Sequence, residues 1–300
     1  MNKLNVAVLM GGYSAEREVS LNSGQAVSEA LLNLGYHVTQ VNDIKELQNI
    51  PKQQVDAVFN ILHGADGEDG QLAAWLNKQG YASTCCDYVG AAVSWHKDLA
   101  KVLVAKVGVK TPKSQLLSQV EDLVIIGDHS WIVKPACEGS SVGLFKAESP
   151  EQLKQAVAES LQASNEVLVE TYIKGVECTV GIVNGEVLPV VSIKPASELY
   201  DYQAKYQSSS TEYQCPAALP EIWQKELQED ALKAYRAMHL SAWCRIDFIV
   251  DEQGNRWFLE ANTTPGMTTS SLLPKAAKVH GWSFEQLVSQ ILACSGVTHV

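Results

Sequence analysis

The chain has 300 residues, 46% of them hydrophobic and 19% charged. That rules out a disordered or fibrous protein and gives enough length for a large core without disulfide or metal staples. Lys and Arg number 23 against 34 Asp and Glu, and a net charge of -11 argues against non-specific nucleic-acid binding and against anionic membranes, but not against small anionic ligands held by a few local lysines.

Residues 4–10 are an apolar run ending at Gly11-Gly12, too short for a signal sequence and suited to a buried parallel strand. A helix is predicted over 14–34, with Glu16 and Glu18 in its first turn, where the helix dipole favours acids, and Gly35 as its stop. Residues 37–41 and 55–62 read as strands and 71–78 as a short helix. This βαβ rhythm predicts a doubly wound α/β sheet, whose ligands lie beyond the carboxyl ends of its strands. The polar loops 11–20 and 63–70 fall at those ends.

Past residue 88 the pattern changes. One helix is predicted over 91–107, closed by Gly108, then strands over 131–136 and 142–147 joined by the turn 137–141. A helix with Pro150 in its first turn is predicted over 150–163. Strands follow over 166–173, 177–183 and 186–194, with Asn184-Gly185 as a hairpin turn. Residues 197–215 are polar, rich in Tyr and Ser and without periodicity, which predicts a functional loop of the lid kind. An amphipathic helix over 221–239, two strands and two helices complete the chain. The seven cysteines are scattered with no CxxC pair, predicting reduced thiols, no zinc site and a cytoplasmic protein.

The segment 245–262 carries the most chemistry. Asp251-Glu252-Gln253-Gly254-Asn255 has turn composition, so its flanks are predicted to pair as antiparallel strands. Folding them symmetrically about the turn sets Asp247 opposite Glu260 and Arg245 opposite Asn262, all on one face. The other face then carries Ile246, Phe248 and Val250 against Trp257, Leu259 and Ala261 and becomes core. Carboxylates directly opposite destabilise a hairpin, and a divalent cation offsets that. Asp, Glu and Asn are hard oxygen ligands that suit magnesium. A solvated face or an Arg245–Asp247 ion pair is the plainer alternative. Magnesium held this way usually shares phosphate ligands. Lys134 before the small-residue turn 138–143 is a candidate for them, although the same turn could be an ordinary tight hairpin; Lys97 at a helix start is a weaker one.

The motifs GGYSAEREVSLNSG at 11–24, LHGADGEDG at 62–70, IVKPACEGSSVG at 132–143, DYQAKY at 201–206, CRIDF at 244–248 and LEANTTPGMTTSSL at 259–272 together resemble the D-alanine–D-alanine ligase family of the ATP-grasp enzymes, in order along the whole chain. The resemblance implies an N-terminal Rossmann-like (pre-ATP-grasp) domain over 1–87 with the first D-alanine site. It implies a central ATP-grasp subdomain over 88–175 and a C-terminal one over 176–300, with the lid and the metal site. It implies ATP as co-substrate, two Mg2+ or Mn2+ ions, K+ as an activator and a homodimer. The implied chemistry is phosphorylation of one D-alanine and attack on the acyl phosphate by the amine of a second, for peptidoglycan precursor synthesis.

Carried over by resemblance, Glu16 binds the first substrate's ammonium and His63 contacts that substrate. Ser140 and Tyr206 hydrogen-bond with Glu16 to close the lid, and Lys205 reaches from the lid to phosphate or carboxylate. Lys97 and Lys134 hold phosphates. Glu170, Tyr172, Ile173 and Glu177 form the nucleotide pocket. Asp247, Glu260 and Asn262 hold the metals. Arg245 and the Gly266 N–H stabilise the tetrahedral intermediate, and Ser271 and Leu272 receive the second substrate's carboxylate. Tyr206 favours the dipeptide over a D-alanine–D-lactate product; a non-catalytic ATP-grasp binding protein is the other alternative. The chain departs from familiar members at Cys137, where some carry Arg, and at His96, where an Asp is often seen.

Overall fold

In the computed structural model, residues 3–127, 130–139, 143–194 and 211–297 are described. The N-terminal part opens with β1 (Asn5–Leu9), α1 (Arg17–Asn33), β2 (His37–Val41), α2 (Ile44–Gln48), β3 (Ala57–Asn60), α3 (Ala65–Glu68) and α4 (Gln71–Lys78). The three strands pair in parallel in the order β2-β1-β3, as the βαβ rhythm predicts. The loops after β1 and β3 therefore emerge side by side. Ser20, fully buried, ties them together: its Oγ accepts from the Gly11 N–H at 2.8 Å and donates to the Ile61 carbonyl at 2.6 Å.

The middle of the chain holds α5 (Tyr88–Trp95), α6 (Lys97–Lys106), β4 (Ser114–Leu117), β5 (Trp131–Pro135), β6 (Phe145–Ala147), α7 (Pro150–Ala163) and β7 (Val167–Thr171). The sheet order is β4-β7-β5-β6, all antiparallel, with α7 packed against it. The single helix predicted over 91–107 is two helices. His96 between them is extended (φ -84°, ψ 96°), and the Lys97 N–H donates across to the Ala136 carbonyl at 3.1 Å. No proline or glycine marks this break; the bond to the end of β5 makes it.

The last sheet comprises β8 (Val176–Val183), β9 (Glu186–Val187), β10 (Val191–Lys194), β11 (Glu212–Gln214), β12 (Trp243–Val250) and β13 (Arg256–Asn262), in the order β11-β10-β8-β12-β13 with β9 beside β8. Asn184 and Gly185 both take positive φ (51° and 81°), the hairpin geometry their sequence predicts. The strand predicted over 186–194 is broken between β9 and β10. Helices α8 (Glu221–Ala237), α9 (Leu272–His280) and α10 (Phe284–Ala293) cover this sheet and link it to the first. One apolar core joins Val8 and Phe59 of the parallel sheet to Trp243, Leu273 and Ile291. The Trp243 Nε1–H donates to the Thr84 carbonyl at 3.0 Å. Among the described residues no helix is long and apolar enough to cross a membrane. Of the predicted lid, residues 197–210 lie outside the described residues, and its far end forms β11.

Candidate active site

The hairpin β12–β13 sets the geometry. Arg245 pairs with Asn262 and Asp247 with Glu260, the pairs expected from the sequence. Beyond that pair the register slips: Phe248 faces Phe258, and Leu259 is the extra residue of a β-bulge. The predicted core face is corrected accordingly. Phe258, fully buried, joins Ile246, Phe248, Val250 and Ala261 in the core. Trp257 is only half-buried, and Leu259 turns to the polar side next to Glu260, where both line a cleft with Asp247 and Ile249. The bulge thus gives the acidic face an apolar neighbour.

Asp247, 4% exposed, is held on four sides. It accepts from Thr179 Oγ1 at 2.6 Å, from Arg245 Nε at 3.0 Å and Nη2 at 2.9 Å, and from Asn262 Nδ2 at 3.0 Å. The Arg245–Asp247 ion pair and the facing carboxylates therefore coexist. Among the described residues no group of three or more His, Cys, Asp or Glu could hold a metal, but the donor set Asp247, Glu260 and Asn262 is all oxygen-bearing, with Asp247 and Glu260 on the wall of a cleft and Asn262, bonded to Asp247, in its continuation. That chemistry fits a hard cation.

The cleft runs between the two antiparallel sheets. Lys97, Lys134, Glu170, Tyr172, Ile173 and Glu177 line it with the hairpin residues. The helix break at His96 turns Lys97 inward: its Nζ bonds the Glu138 carbonyl and lies 3.8 Å from Glu260 Oε2. Lys134 Nζ sits 2.8 Å from Glu170 Oε2. Burial pushes the Lys134 amine down, but Glu170 and Glu260 outweigh it and hold its pKa above the ordinary lysine range. Glu170 is 2% exposed and also bonds Lys101, itself 2% exposed. Burial opposes its charge, yet Lys134 and Lys101 hold the carboxyl below the usual range. Sequence reasoning missed Lys101, whose place on α6 gives no sign that it faces inward.

A narrower hollow continues the cleft past Lys97, Glu138 and Glu260 to Asn262, Thr263, Gly139 and Glu68. There it meets the N-terminal loops. Glu16 caps α1 and is 8% exposed. A Cβ on Gly139 would come within 2.9 Å of its Oε2, so Gly139 is the residue that lets the two segments meet. His63 is 4% exposed; burial pushes its pKa down against the pull of Glu16. Its Nε2 is buried with no partner among the described residues. Such an orphaned atom is poised for a ligand.

Gly266 lies on the loop after β13, with Ser271 Oγ 3.0 Å from where its Cβ would be. Ser271 accepts from the Thr268 N–H at 3.1 Å, and the Leu272 side chain is buried in the core. Ser140, Lys205 and Tyr206 lie outside the described residues. The structure thus brings Lys97, Lys134, Glu170, Tyr172, Ile173, Glu177, Asp247 and Glu260 to one cleft, with Asn262 in its continuation beside the loops of Glu16 and His63.

The chain resembles known proteins along most of its length. The family described as D-ala D-ala ligase C-terminus matches residues 102–293. A D-alanine–D-alanine ligase of Haemophilus influenzae is 41% identical, over 96% of this chain and all of its own. The crystal structure of a D-alanine–D-alanine ligase from Bacillus anthracis complexed with ATP superposes with a TM-score of 0.85 at 28% identity, covering 97% of each chain. A D-Ala:D-Ser ligase from Enterococcus faecalis gives 0.84 at 26% identity, covering 98% of this chain and all of its own.

Proposed function

The chain belongs to the D-alanine–D-alanine ligase family, and from that premise we propose that it joins two D-alanines into D-alanyl-D-alanine, converting ATP to ADP and phosphate, for peptidoglycan precursor synthesis. It is an ATP-binding ligase with the ATP-grasp fold of its structural neighbours. The observation that carries the reading is the register of β12 and β13, which sets Asp247 opposite Glu260 on the wall of a cleft that also holds two buried lysines.

The nucleotide lies against Tyr172, Ile173 and Glu177, with Lys97 and Lys134 at its phosphates. Asp247, Glu260 and Asn262 are the residues that hold Mg2+ or Mn2+, which when bound neutralises charge on the triphosphate. The remaining catalysis is positioning and charge stabilisation, as phosphoryl transfer requires. Glu16 takes the ammonium of the first D-alanine, and the unpartnered His63 Nε2 faces the same substrate. That D-alanine's carboxylate oxygen attacks the γ-phosphorus and ADP leaves. The amine of the second D-alanine, bound through Ser271 and Leu272, then attacks the acyl carbon. Arg245 and the Gly266 N–H stabilise the oxyanion that develops, and phosphate departs. By resemblance alone, Ser140 and Tyr206 close the lid over Glu16, Lys205 reaches from it to phosphate or carboxylate, the protein is a homodimer and K+ activates it. All seven cysteines are free, which suits a cytoplasmic enzyme.

The test is phosphate release with ATP, Mg2+ and D-alanine, and product identification by mass. D-alanyl-D-alanine is expected. Phosphate released without D-alanine points to another carboxylate–amine ligase, and nucleotide binding without release points to a non-catalytic binding protein.

A further inference from the structure

Thr264 is 2% exposed, and its N–H and hydroxyl are held by β3 and the segment after it. Its N–H donates to Glu68 Oε1 at 3.1 Å. Its hydroxyl accepts from Asn60 Nδ2 at 3.3 Å. The other Glu68 oxygen accepts from the Gly64 N–H at 2.9 Å, so this one carboxylate bridges the His63 loop and the Thr264 loop. Three residues on, the Met267 N–H donates to Ser23 Oγ of α1 at 3.0 Å. The two residues between these anchors, Pro265 and Gly266, have little freedom left, since proline fixes its own φ. The N–H of Gly266 donates to no other described residue.

We infer that Asn60 and Glu68 are positioning residues for the ligation: through Thr264 they aim the Gly266 N–H at the reacting carbonyl and lock it to the loop that binds the first amino acid. This rests on the reading of Gly266 given above and extends it to residues that the sequence motifs leave without a role. An oxyanion donor acts only if it is fixed before charge develops, and a displacement of about 1 Å can cost about 10²-fold in rate. A backbone loop has no rigidity of its own to meet that demand. Here the rigidity comes from a different part of the chain, with 196 residues separating Glu68 from Thr264. Because Glu68 also holds the Gly64 N–H, next to His63, the loop that senses the first substrate and the loop that stabilises the intermediate move as one body.

The test uses the full chain with Glu68→Gln, Thr264→Val and Thr264→Ser. A glutamine offers one acceptor oxygen where two N–H groups need one each. Valine keeps the Thr264 shape and backbone but loses the hydroxyl; serine keeps it. Glu68→Gln is expected to lower kcat by about 10²-fold with the KM for ATP and the affinity for nucleotide, followed by fluorescence, unchanged. Thr264→Val is expected to lower kcat less, with Thr264→Ser recovering most of the loss. Wild-type kcat in both Glu68→Gln and Thr264→Val overturns the inference. So does a loss of nucleotide affinity and thermal stability in step with kcat, which marks a merely structural role. If Glu68→Gln does not fold, the Val and Ser pair at Thr264 decides by the same criteria. Wild-type protein that releases no D-alanine-dependent phosphate sinks the functional reading itself and is told apart by that control.

Discussion

The two ends of the cleft are held together in different ways. At the nucleotide end the polar groups are ions paired with ions: Lys101–Glu170–Lys134, Lys97–Glu260 and Arg245–Asp247. At the amino-acid end they are side chains bonded to backbone: Glu68 to the N–H groups of Gly64 and Thr264, Ser23 to Met267, Ser20 to Gly11 and Ile61. Ion pairs can trade partners. A phosphate replaces a carboxylate beside lysine, and a cation replaces a guanidinium beside aspartate, without leaving a buried charge alone. Backbone bonds have no such substitute, since an N–H left unpaired in a dry interior is a plain loss. The nucleotide end is therefore built to exchange ligands, and the amino-acid end to hold still.

The sharpest way to break the exchangeable end is to remove a charge that a ligand is meant to meet. Glu260→Gln should abolish most turnover and move the Mg2+ requirement to higher concentration, while the unfolding midpoint stays close to wild type. Steady-state rates across a magnesium series check this, and a wild-type magnesium dependence would falsify the metal-binding role. Next in size is Arg245→Met, expected to cost about 10²–10³-fold in kcat as the loss of an oxyanion partner does. Its KM for ATP should hardly move.

Lys101→Met probes the pairing itself. It leaves Glu170, fully enclosed, with a single cation, and breaking a buried pair costs about 3–5 kcal/mol. Lys134 is then held more tightly by Glu170 and is less free for phosphate, so the KM for ATP should rise by about tenfold, roughly 1.4 kcal/mol. The double variant Lys101→Met with Glu170→Gln should regain most of the stability. Denaturant titration and ATP titration separate the two effects.

The same contrast explains what could be read from the residues alone. The hairpin itself is local: a turn-forming run joins two strands, and alternation separates an apolar face from a polar one. The bulge at Leu259 is not, because no residue type announces it; the register next to the turn, Phe248 opposite Phe258, would set Asp247 opposite Leu259, and the bulge brings Glu260 there instead and puts Phe258 in the core where alternation had put Trp257 and Leu259. The break at His96 depends on a bond to Ala136, forty residues away in sequence, so helical periodicity runs straight through it. Lys101 looked like any helix lysine until its partner on β7 was known. Motif resemblance conveyed the fold and the enzyme class, and it is the source of the ligand-facing residues proposed above. It gave no role to Asn60, Glu68 or Ser23, whose partners lie around two hundred residues on.

The smallest effect concerns acidity at the fixed end. Burial, and then the charge of Glu16, push the Glu68 carboxyl up to about 8; its two backbone N–H bonds and Arg245 pull the other way without prevailing. The folded pKa lies above the ordinary value of 4.5, so the folded state binds the extra proton. The resulting stability is fully present below about pH 4.5 and is lost as pH rises through about 8. Function should run in the opposite sense, because only the carboxylate accepts well at both oxygens and holds Thr264 firmly. Between pH 6 and 9, roughly, the wild-type melting temperature should therefore fall by a few degrees while kcat rises. Glu68→Gln should flatten both trends. A melting temperature and kcat that both stay flat over this range in the wild type would mean that the carboxylate is already formed at neutral pH and that its backbone bonds outweigh its burial.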